Sequence, residues 1–239
     1  MKIIKTRLMQ GARKAEGLVV VIDVFRAFSC TPLFFHYGAK EVLMVADRVE
    51  AETIKRENPG VVLVGEHNEI PLNGADLSNS PTSVMRRGEP LIKDKTVVHR
   101  TTAGVTGAAA AMVRAEEVIL GSFVMAKAIA AYILDRSPER VTLVAMGERA
   151  KKRAPEDEAC ADYIEHLLLG SDWEPIASMQ AILFQQTAQK FLKGNKPYLP
   201  PEDPVFCLQR DIFDAVYRLE KESRGLLVRQ RPGKGRPAM

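Results

Sequence analysis

The sequence predicts an α/β fold organised around a largely parallel β-sheet. The apolar, mostly β-branched run over 18–23 is typical of a central strand that is buried on both faces. Similar short runs then alternate with helical segments at the spacing of crossover units, which connect parallel strands. Polar residues follow directly where most of these runs end. In sheets of this kind, the carboxyl ends of the strands are where ligands bind.

Strands and helices alternate along most of the chain. The strands are predicted over 1–7, 18–23, 41–46, 61–64, 96–99, 117–120 and 140–145. The helices between and after them are predicted over 27–38, 49–58, 103–114, 124–136 and 156–169. The helix over 27–38 is apolar nearly all round and stops at Gly38. Residues 65–81 form a long polar loop, and loops of that length in a compact domain usually serve a function or are disordered.

The last third of the chain gives a less regular pattern. A further helix is predicted over 175–193, and a proline-rich loop over 198–204. Residues 205–229 are ambiguous, because Val216 and Leu219 fit the spacing of a helix whereas Gly225 indicates a hairpin turn. We expect this segment to pack on the same domain as the rest.

We expect one domain over 1–228 and a basic, disordered tail over 229–239. The tail contains no acid and four basic residues, namely Arg229, Arg231, Lys234 and Arg236. Because the formal net charge of the whole chain is +4, the remaining domain is near neutral. Nucleic-acid binding is therefore not expected, and binding through the tail and Lys151-Lys152-Arg153 is only a weaker alternative.

Cysteine content and hydropathy indicate the expected compartment. The three cysteines, Cys30, Cys160 and Cys207, include no Cys-x-x-Cys pair, so neither a disulfide framework nor a zinc site is expected. No apolar run approaches the about 18 residues of a membrane span, and the amino terminus has no apolar signal segment. A cytoplasmic protein is therefore expected, and the sequence leaves a homodimer open.

Asp23 and Arg26 mark the end of the predicted central strand. A carboxylate at that position is costly to desolvate unless it meets a cation, hydrogen-bond donors or water. The two residues place one acid and one base where open α/β sheets bind ligands. The alternative is that Asp23 caps the following helix and Arg26 is solvated.

Other predicted strands also end in polar residues. These ends contain Gly65-Glu66, Arg100-Thr101-Thr102, Gly121-Ser122 and Gly147-Glu148. If the strands are parallel, acids, arginines, hydroxyls and glycines face one cleft. Oxygen ligands hold Mg²⁺, and arginine forks and hydroxyls hold phosphate or carboxylate. The pattern therefore suits a divalent cation with an anionic ligand, although capping or turn chemistry is the alternative for each single residue.

Several familiar chemistries are not supported. The Gly-x-Gly-x-x-Gly and P-loop patterns are absent, which argues against dinucleotide and nucleoside triphosphate folds. An aspartyl-phosphate phosphatase loop would need a second acid where Phe25 stands. Cys30 has no arginine six residues later, so a cysteine-dependent phosphatase is not expected, and the histidines show no metal-ligand spacing.

Taken together, the motifs resemble the 2-phosphosulfolactate phosphatase family of coenzyme M biosynthesis, from about residue 18 to about residue 220. The matching stretches are Ile22–Ala27, Gly65-Glu66, Asp76–Pro81, Thr101-Thr102, Gly121-Ser122-Phe123, Glu156-Asp157 with Cys160-Ala161, and Glu202-Asp203 through Phe206-Cys207. The resemblance implies a three-layer α/β/α sandwich with a largely parallel or mixed sheet. It also implies a Mg²⁺-dependent phosphatase that acts on a small, anionic, phosphorylated acid.

The resemblance also implies roles for individual residues. The catalytic set is Asp23, Arg26, Glu66 and Asp157, and the metal set is Asp23, Glu66 and Asp157. The anion contacts that it implies are Arg26, Asn79, Thr101 and Thr102. We add Arg100, which precedes the threonines, as a replacement for a cation missing from the family pattern, and Ser122 from the polar strand ends.

Four positions depart from the pattern of the resembled family. They are His67, Ala103, Met125 and Asp162, and further along the threonine segment Val105 replaces a hydroxyl residue. These departures predict a preference for a less highly charged phosphorylated acid, with binding improved near pH 6 if His67 faces the anion. They also motivate an alternative function, in which the fold binds a phosphorylated or sulfonated acid without turnover.

Overall fold

The computed structural model describes residues 1–233 of the 239-residue chain. The strands are β1 Lys2–Arg7, β2 Gly17–Ile22, β3 Glu41–Met44, β4 Val62–His67, β5 Ile70–Pro71, β6 Thr96–Arg100, β7 Ala115–Gly121, β8 Arg140–Ala145, β9 Ala215–Glu222 and β10 Gly225–Pro232. The helices are α1 Leu8–Lys14, α2 Ala27–His36, α3 Arg48–Glu57, α4 Pro81–Ile92, α5 Gly104–Ala111, α6 Ala126–Arg136, α7 Pro155–Leu169, α8 Pro175–Leu183, α9 Gln186–Leu192 and α10 Glu202–Cys207. None of these helices is both long and apolar enough to cross a membrane.

The strands form a single mixed sheet, which in residues 1–233 has ten strands in the order β1-β8-β2-β7-β9-β10-β3-β6-β4-β5. One parallel group contains β1, β8, β2 and β7. A second contains β3, β6 and β4. The hairpin β9–β10 lies between the groups and pairs antiparallel with both. The α/β fold class with a mixed sheet is therefore confirmed.

The two parallel groups run in opposite directions, because three antiparallel pairings separate them. The expectation that all strand ends share one edge of a parallel sheet was therefore too simple. The ends of both groups nevertheless meet, since the backbone N–H of Gly104, just after β6, hydrogen-bonds the carboxylate of Asp23, just after β2. The pocket described below forms at this meeting point.

The predicted central strand is confirmed as β2, and all six of its residues are buried. It pairs in parallel with β7 on one side and β8 on the other. Because successive side chains of a strand point to opposite faces, complete burial means that both faces are covered. Helices α5 and α7 both contact β2, α1 packs on α5, and α6 packs on α7. These layers agree with an α/β/α sandwich.

Helix α4 was not predicted, although the sequence contains its start signal. The Ser80 hydroxyl accepts a hydrogen bond from the Ser83 backbone N–H at 3.1 Å, and Pro81 occupies the first turn. Both features are typical of a helix amino terminus. Asn79, two residues before α4, lines the pocket described below.

Three other segments differ from the prediction. The connection before β2 contains the helix α1, and the helix predicted over 175–193 is two helices separated by the extended residue Gln185. The ambiguous segment 205–229 contains the end of α10 and most of the hairpin β9–β10, with Gly225 opening β10. Strand β10 continues to Pro232, so the predicted tail was started too early, and its last six residues lie outside the described part.

Candidate active site

A small pocket lies where the ends of β2, β4, β6 and β8 meet helices α7 and α9. It is lined by Asp23, Phe25, Arg26, Glu66, Glu69, Asn79, Thr101, Thr102, Ala103, Gly147, Glu148, Arg149, Glu156, Asp157, Lys190, Phe191 and Leu199. Its volume is about 60 Å³, well below the roughly 300–1,000 Å³ of pockets for drug-sized ligands. The space therefore suits a small polar group, with any larger part of a ligand near the opening.

Asp23 is buried in this pocket. Its Oδ1 accepts a 3.4 Å hydrogen bond from the Ala27 backbone N–H, and the Gly104 N–H also bonds the carboxylate. A Cβ at Gly104 would lie 2.6 Å from Asp23 Oδ2, so only glycine permits this approach. Burial, and next the charge of Glu66, raise the pKa of Asp23 to about 6. Asp23 thus has both roles considered from the sequence, since it bonds the first turn of α2 and faces the pocket.

Glu66 and Asp157 line the pocket, but backbone groups already use both oxygens of each carboxylate. Glu66 accepts from the backbone N–H groups of Thr102 and Glu69, each at 2.6 Å. Asp157 accepts from the N–H groups of Val24 and Gly147, each at 2.8 Å. These acids therefore hold together the loops that follow β2, β4, β6 and β8.

Glu156 is a buried pocket acid that was not assigned a role from the sequence. Its Oε2 accepts a 2.9 Å hydrogen bond from Thr187 Oγ1. Burial is the main cause that raises its pKa to about 7, and the charge of Asp23 acts in the same direction. The available signal was the Glu156-Asp157 pair among the family motifs, from which only Asp157 was given a role.

The predicted metal set does not form a ready-made site. Within residues 1–233, no group of three His, Cys, Asp or Glu side chains has the arrangement needed to hold a metal ion. Mg²⁺, however, is commonly bound by one or two carboxylates, with substrate oxygens and water completing its coordination. Asp23 and Glu156 fit that more open arrangement, because both line the pocket and because burial, with the charge of neighbouring carboxylates, raises the pKa of each.

Arg26 is buried in the pocket and firmly oriented. Its Nη1 donates to Asp203 Oδ2 at 2.7 Å and to the Tyr198 carbonyl oxygen at 2.9 Å. Its guanidinium carbon lies 5.2 Å from the centroid of the Phe191 ring. Asp203 Oδ1 accepts in turn from the Ser80 hydroxyl at 2.8 Å. These contacts use Nη1, so Nε and Nη2 provide donors for an anion in the pocket.

Asn79 presents an amide to the same pocket. Its Oδ1 lies 3.0 Å from His99 Nε2, and both side chains are buried. Burial lowers the pKa of His99 to about 3, so the imidazole is neutral at physiological pH. A neutral ring that donates from Nε2 to Oδ1 fixes the amide so that its N–H₂ group is free to donate.

The remaining predicted anion contacts divide into two groups. Thr101 and Thr102 line the pocket, and the hydroxyl of Thr101 also accepts from the Val105 N–H at 3.2 Å. Arg100 is not among the lining residues, because it donates to the carbonyl oxygens of Ala46 and Glu66. Ser122 also lies elsewhere, 2.6 Å from the Ser29 hydroxyl in the core. The structure thus separates Arg100 and Ser122 from the pocket.

Lys190, from α9, spans the rim of the pocket. Its Nζ lies 2.8 Å from Glu69 Oε1 and 3.0 Å from Glu148 Oε1. Although burial lowers its pKa, these two ion pairs raise it above the ordinary lysine value. Lys190 and Glu69 were not predicted as site residues, because they meet only through the folding of distant segments, and Glu148 was noted only as the polar end of a predicted strand.

The pocket is strongly acidic. Six acidic side chains line it, namely Asp23, Glu66, Glu69, Glu148, Glu156 and Asp157, against three basic ones, Arg26, Arg149 and Lys190. If all are ionised, the lining carries an excess of three negative charges. An anionic ligand would be repelled by this lining unless a cation or bound protons compensate.

Most of the unusual positions noted in the sequence lie away from the pocket. His67 is exposed, with its Nε2 3.2 Å from Asn68 Nδ2, and does not line the pocket. The condition for the predicted gain on acidification is therefore not met. Met125 is fully buried and Asp162 pairs with Lys5 at 2.9 Å on the surface. Only Ala103 is a lining residue.

Comparison of the sequence with known proteins identifies similar proteins. The family model described as 2-phosphosulpholactate phosphatase matches residues 4–222. A protein of Bacillus subtilis (strain 168) named "Probable 2-phosphosulfolactate phosphatase" is 31% identical over 206 residues, which cover 85% of this chain and 87% of the relative. Proteins with the same name from Caldicellulosiruptor saccharolyticus and Caldanaerobacter subterraneus subsp. tengcongensis are each 31% identical over 218 residues, covering 84% and 86% of this chain and 88% of each relative. The chain therefore belongs to the 2-phosphosulfolactate phosphatase family.

Proposed function

We propose that the protein hydrolyses the phosphate monoester of a small acid and that Mg²⁺ assists this reaction. The observation that carries the proposal is the pocket, in which an oriented arginine and an amide stand beside two buried acids with raised pKa values. Membership of the family and the names of the relatives support a phosphatase of the 2-phosphosulfolactate type.

Asp23 and Glu156 are the residues proposed to hold the cation. This keeps Asp23 from the predicted set and replaces Glu66 and Asp157. Each of those two carboxylates accepts two short backbone N–H bonds of 2.6 or 2.8 Å, whereas the Ala27 N–H lies 3.4 Å from Asp23 Oδ1 and Glu156 accepts from Thr187 through Oε2. When bound, the cation supplies positive charge that offsets the acidic lining and polarises the phosphoryl group.

The protein's own donors hold the phosphoryl group in this proposal. Nε and Nη2 of Arg26 and the amide N–H₂ of Asn79 donate to phosphoryl oxygens, where negative charge develops as the ester bond breaks. Asp203 and His99 keep these donors in place, which limits the reorganisation needed during the reaction. A water oxygen forms the new bond to phosphorus and gives up one proton, the ester P–O bond breaks, and the leaving oxygen takes up one proton, so that the products are the alcohol and phosphate.

Phosphate release should depend on a divalent cation. We expect purified protein to release phosphate from phosphoglycolate or phenyl phosphate with Mg²⁺ present, and to lose at least about 100-fold in kcat/KM after EDTA treatment, with recovery when Mg²⁺ is restored. Equal turnover with EDTA would contradict the metal dependence. A ligand-induced rise in melting temperature without any phosphate release would instead support the binding-protein alternative.

The stability of the metal-free protein should fall between about pH 4 and pH 7. Burial raises the pKa of Asp23 to about 6 and of Glu156 to about 7, so the folded state holds protons that the unfolded chain has released. Deprotonation through this window therefore lowers the free energy of unfolding, by about 3 kcal/mol for either group taken alone. Urea unfolding from pH 5 to pH 8 measures this dependence.

Two variants and one ligand sharpen the pH measurement. Asp23→Asn or Glu156→Gln should flatten the profile, and millimolar Mg²⁺ at pH 8 should restore stability by binding the folded state. If the free energy of unfolding of the wild-type protein does not change between pH 5 and pH 8, the pKa values of Asp23 and Glu156 are not raised in the folded state. If Mg²⁺ does not raise the stability at pH 8, the proposed metal site is contradicted, whereas the raised pKa values of the two acids are not.

A further inference from the structure

Arg149 stands apart from the other basic side chains of the pocket. Arg26 is paired with Asp203, and Lys190 is held between two glutamates. Arg149 is exposed and lines the pocket, and within the described part of the chain it has no hydrogen-bonded or ion-pair partner; its charge helps to lower the pKa of the neighbouring Glu148. Among the lining cations described, Arg149 is therefore the one that no acidic side chain pairs.

The loop that carries Arg149 is held in one shape by the backbone. The Glu148 N–H donates to the Lys152 carbonyl at 2.8 Å, and the Lys152 N–H donates to the Glu148 carbonyl at 3.1 Å. Gly147 has a φ of +71°, and a Cβ there would collide with the Lys152 carbonyl oxygen. Arg149 itself has a φ of +53°, a conformation that non-glycine residues adopt only when the surroundings require it. Arg149 is thus held at the rim by its loop.

The interior and the opening of the pocket differ in their charged side chains. The interior contains four buried acids and Arg26, whereas the opening presents the unpaired cation of Arg149. The interior volume of about 60 Å³ admits a small group, so the rest of a ligand must extend toward the opening. Once a cation offsets the interior acids, as the proposed function requires, a ligand with a phosphoryl group beside Arg26 and a second acidic group at the opening fits this arrangement.

We propose that Arg149 binds the second acidic group, a carboxylate or sulfonate, of the phosphorylated substrate, and so determines selectivity for acids over simple phosphate esters. The inference rests on the proposed function, because it assigns the phosphoryl group to the interior beside Arg26. A planar guanidinium pairs with either oxyanion through two parallel N–H donors, whereas an ammonium group cannot. The substrate then enters with its phosphate first, and its acid group stays at the rim.

The test is a selectivity ratio measured with matched variants. The ratio compares kcat/KM for phosphoglycolate, which has a carboxylate, with kcat/KM for phenyl phosphate, which has none. Arg149→Gln should lower this ratio roughly tenfold, mainly through a higher KM for phosphoglycolate, and Arg149→Lys should recover only part of it. Lys151→Gln removes an equal charge from the same loop at a residue that does not line the pocket, and should leave the ratio unchanged.

The outcomes separate this inference from the proposed function. An unchanged ratio in Arg149→Gln, or an equal fall in Lys151→Gln, would overturn the role of Arg149 while the phosphatase stands. If the wild-type protein hydrolyses neither ester, the proposed function fails. The role of Arg149 is then tested by ligand binding alone. Phosphoglycolate should then raise the wild-type melting temperature more than inorganic phosphate does, and Arg149→Gln should lose that difference. Retention of the difference would overturn the inference.

Discussion

Asp23→Asn should lower kcat/KM by about 1,000-fold or more and, at pH 8, should raise the stability of the metal-free protein. The substitution keeps the shape of the side chain and one of the two oxygens that accept from the Ala27 and Gly104 N–H groups, but removes the charge proposed to hold the cation. The same change relieves the burial of a carboxylate whose pKa is raised to about 6. Steady-state kinetics over a range of Mg²⁺ concentrations, together with urea unfolding, measure both effects.

Opposite signs for activity and stability make this result specific. A variant that lost activity through misfolding would lose stability as well. Asp162→Asn is the matched control, since Asp162 forms only a surface ion pair with Lys5, and it should change neither quantity appreciably. Near wild-type turnover of Asp23→Asn at low Mg²⁺ would show that Asp23 serves the start of α2 only.

Asp203→Asn should cost both stability and activity, because it leaves Arg26 as a buried charge without its partner. Arg26 and Asp203 are 4% and 0% exposed and lie 2.7 Å apart. Removal of one partner of a buried ion pair typically lowers stability by about 3–5 kcal/mol. We also expect kcat/KM for phosphate monoesters to fall by roughly 100-fold, because the guanidinium is no longer oriented toward the pocket.

A double variant separates the two consequences. Arg26→Met combined with Asp203→Asn removes the unpaired cation, so much of the lost stability should return. Activity should not return, because the donors to the phosphoryl group are absent. Recovery of turnover in the double variant would show that Arg26 has only a structural role. Wild-type stability of Asp203→Asn would show that the ion pair between Arg26 and Asp203 is solvated.

The sequence predicted the structure best where the local composition alone indicates a buried strand. Strand β2 was predicted because a β-branched run bounded by a polar turn has few alternatives, and Asp23 followed from its place at the end of that run. Asp203 was noted only as part of a motif, since nothing near it in the sequence indicates that it meets Arg26. The parts of the site that depend on local pattern were therefore predictable, whereas the partners were not.

Arg100 shows why side-chain direction was harder to predict than position. Arg100, Thr101 and Thr102 are consecutive, and all three were predicted to face the anion. In the structure the two threonines line the pocket, whereas the arginine turns to the carbonyl oxygens of Ala46 and Glu66. Successive residues of an extended chain point in different directions, and the choice between them depends on the neighbouring loops.

The rim of the pocket required tertiary information. Lys190 is 121 residues from Glu69 and 42 from Glu148 along the chain, yet it bonds both. It lies in a segment that was predicted as one long helix, whereas the break before α9 directs its side chain across the pocket. Neither the helix spacing nor the charge pattern of the sequence predicts the direction of the Lys190 side chain.

The central place of the β9–β10 hairpin has a consequence for biosynthesis. These strands are the last described elements of the chain, yet they join β7 to β3 in the middle of the sheet. While the protein is being translated, each half-sheet therefore keeps an open edge strand until β9 and β10 leave the ribosome. Open edges invite pairing with other chains. A chain truncated before Ala215 should consequently aggregate rather than persist as a smaller enzyme.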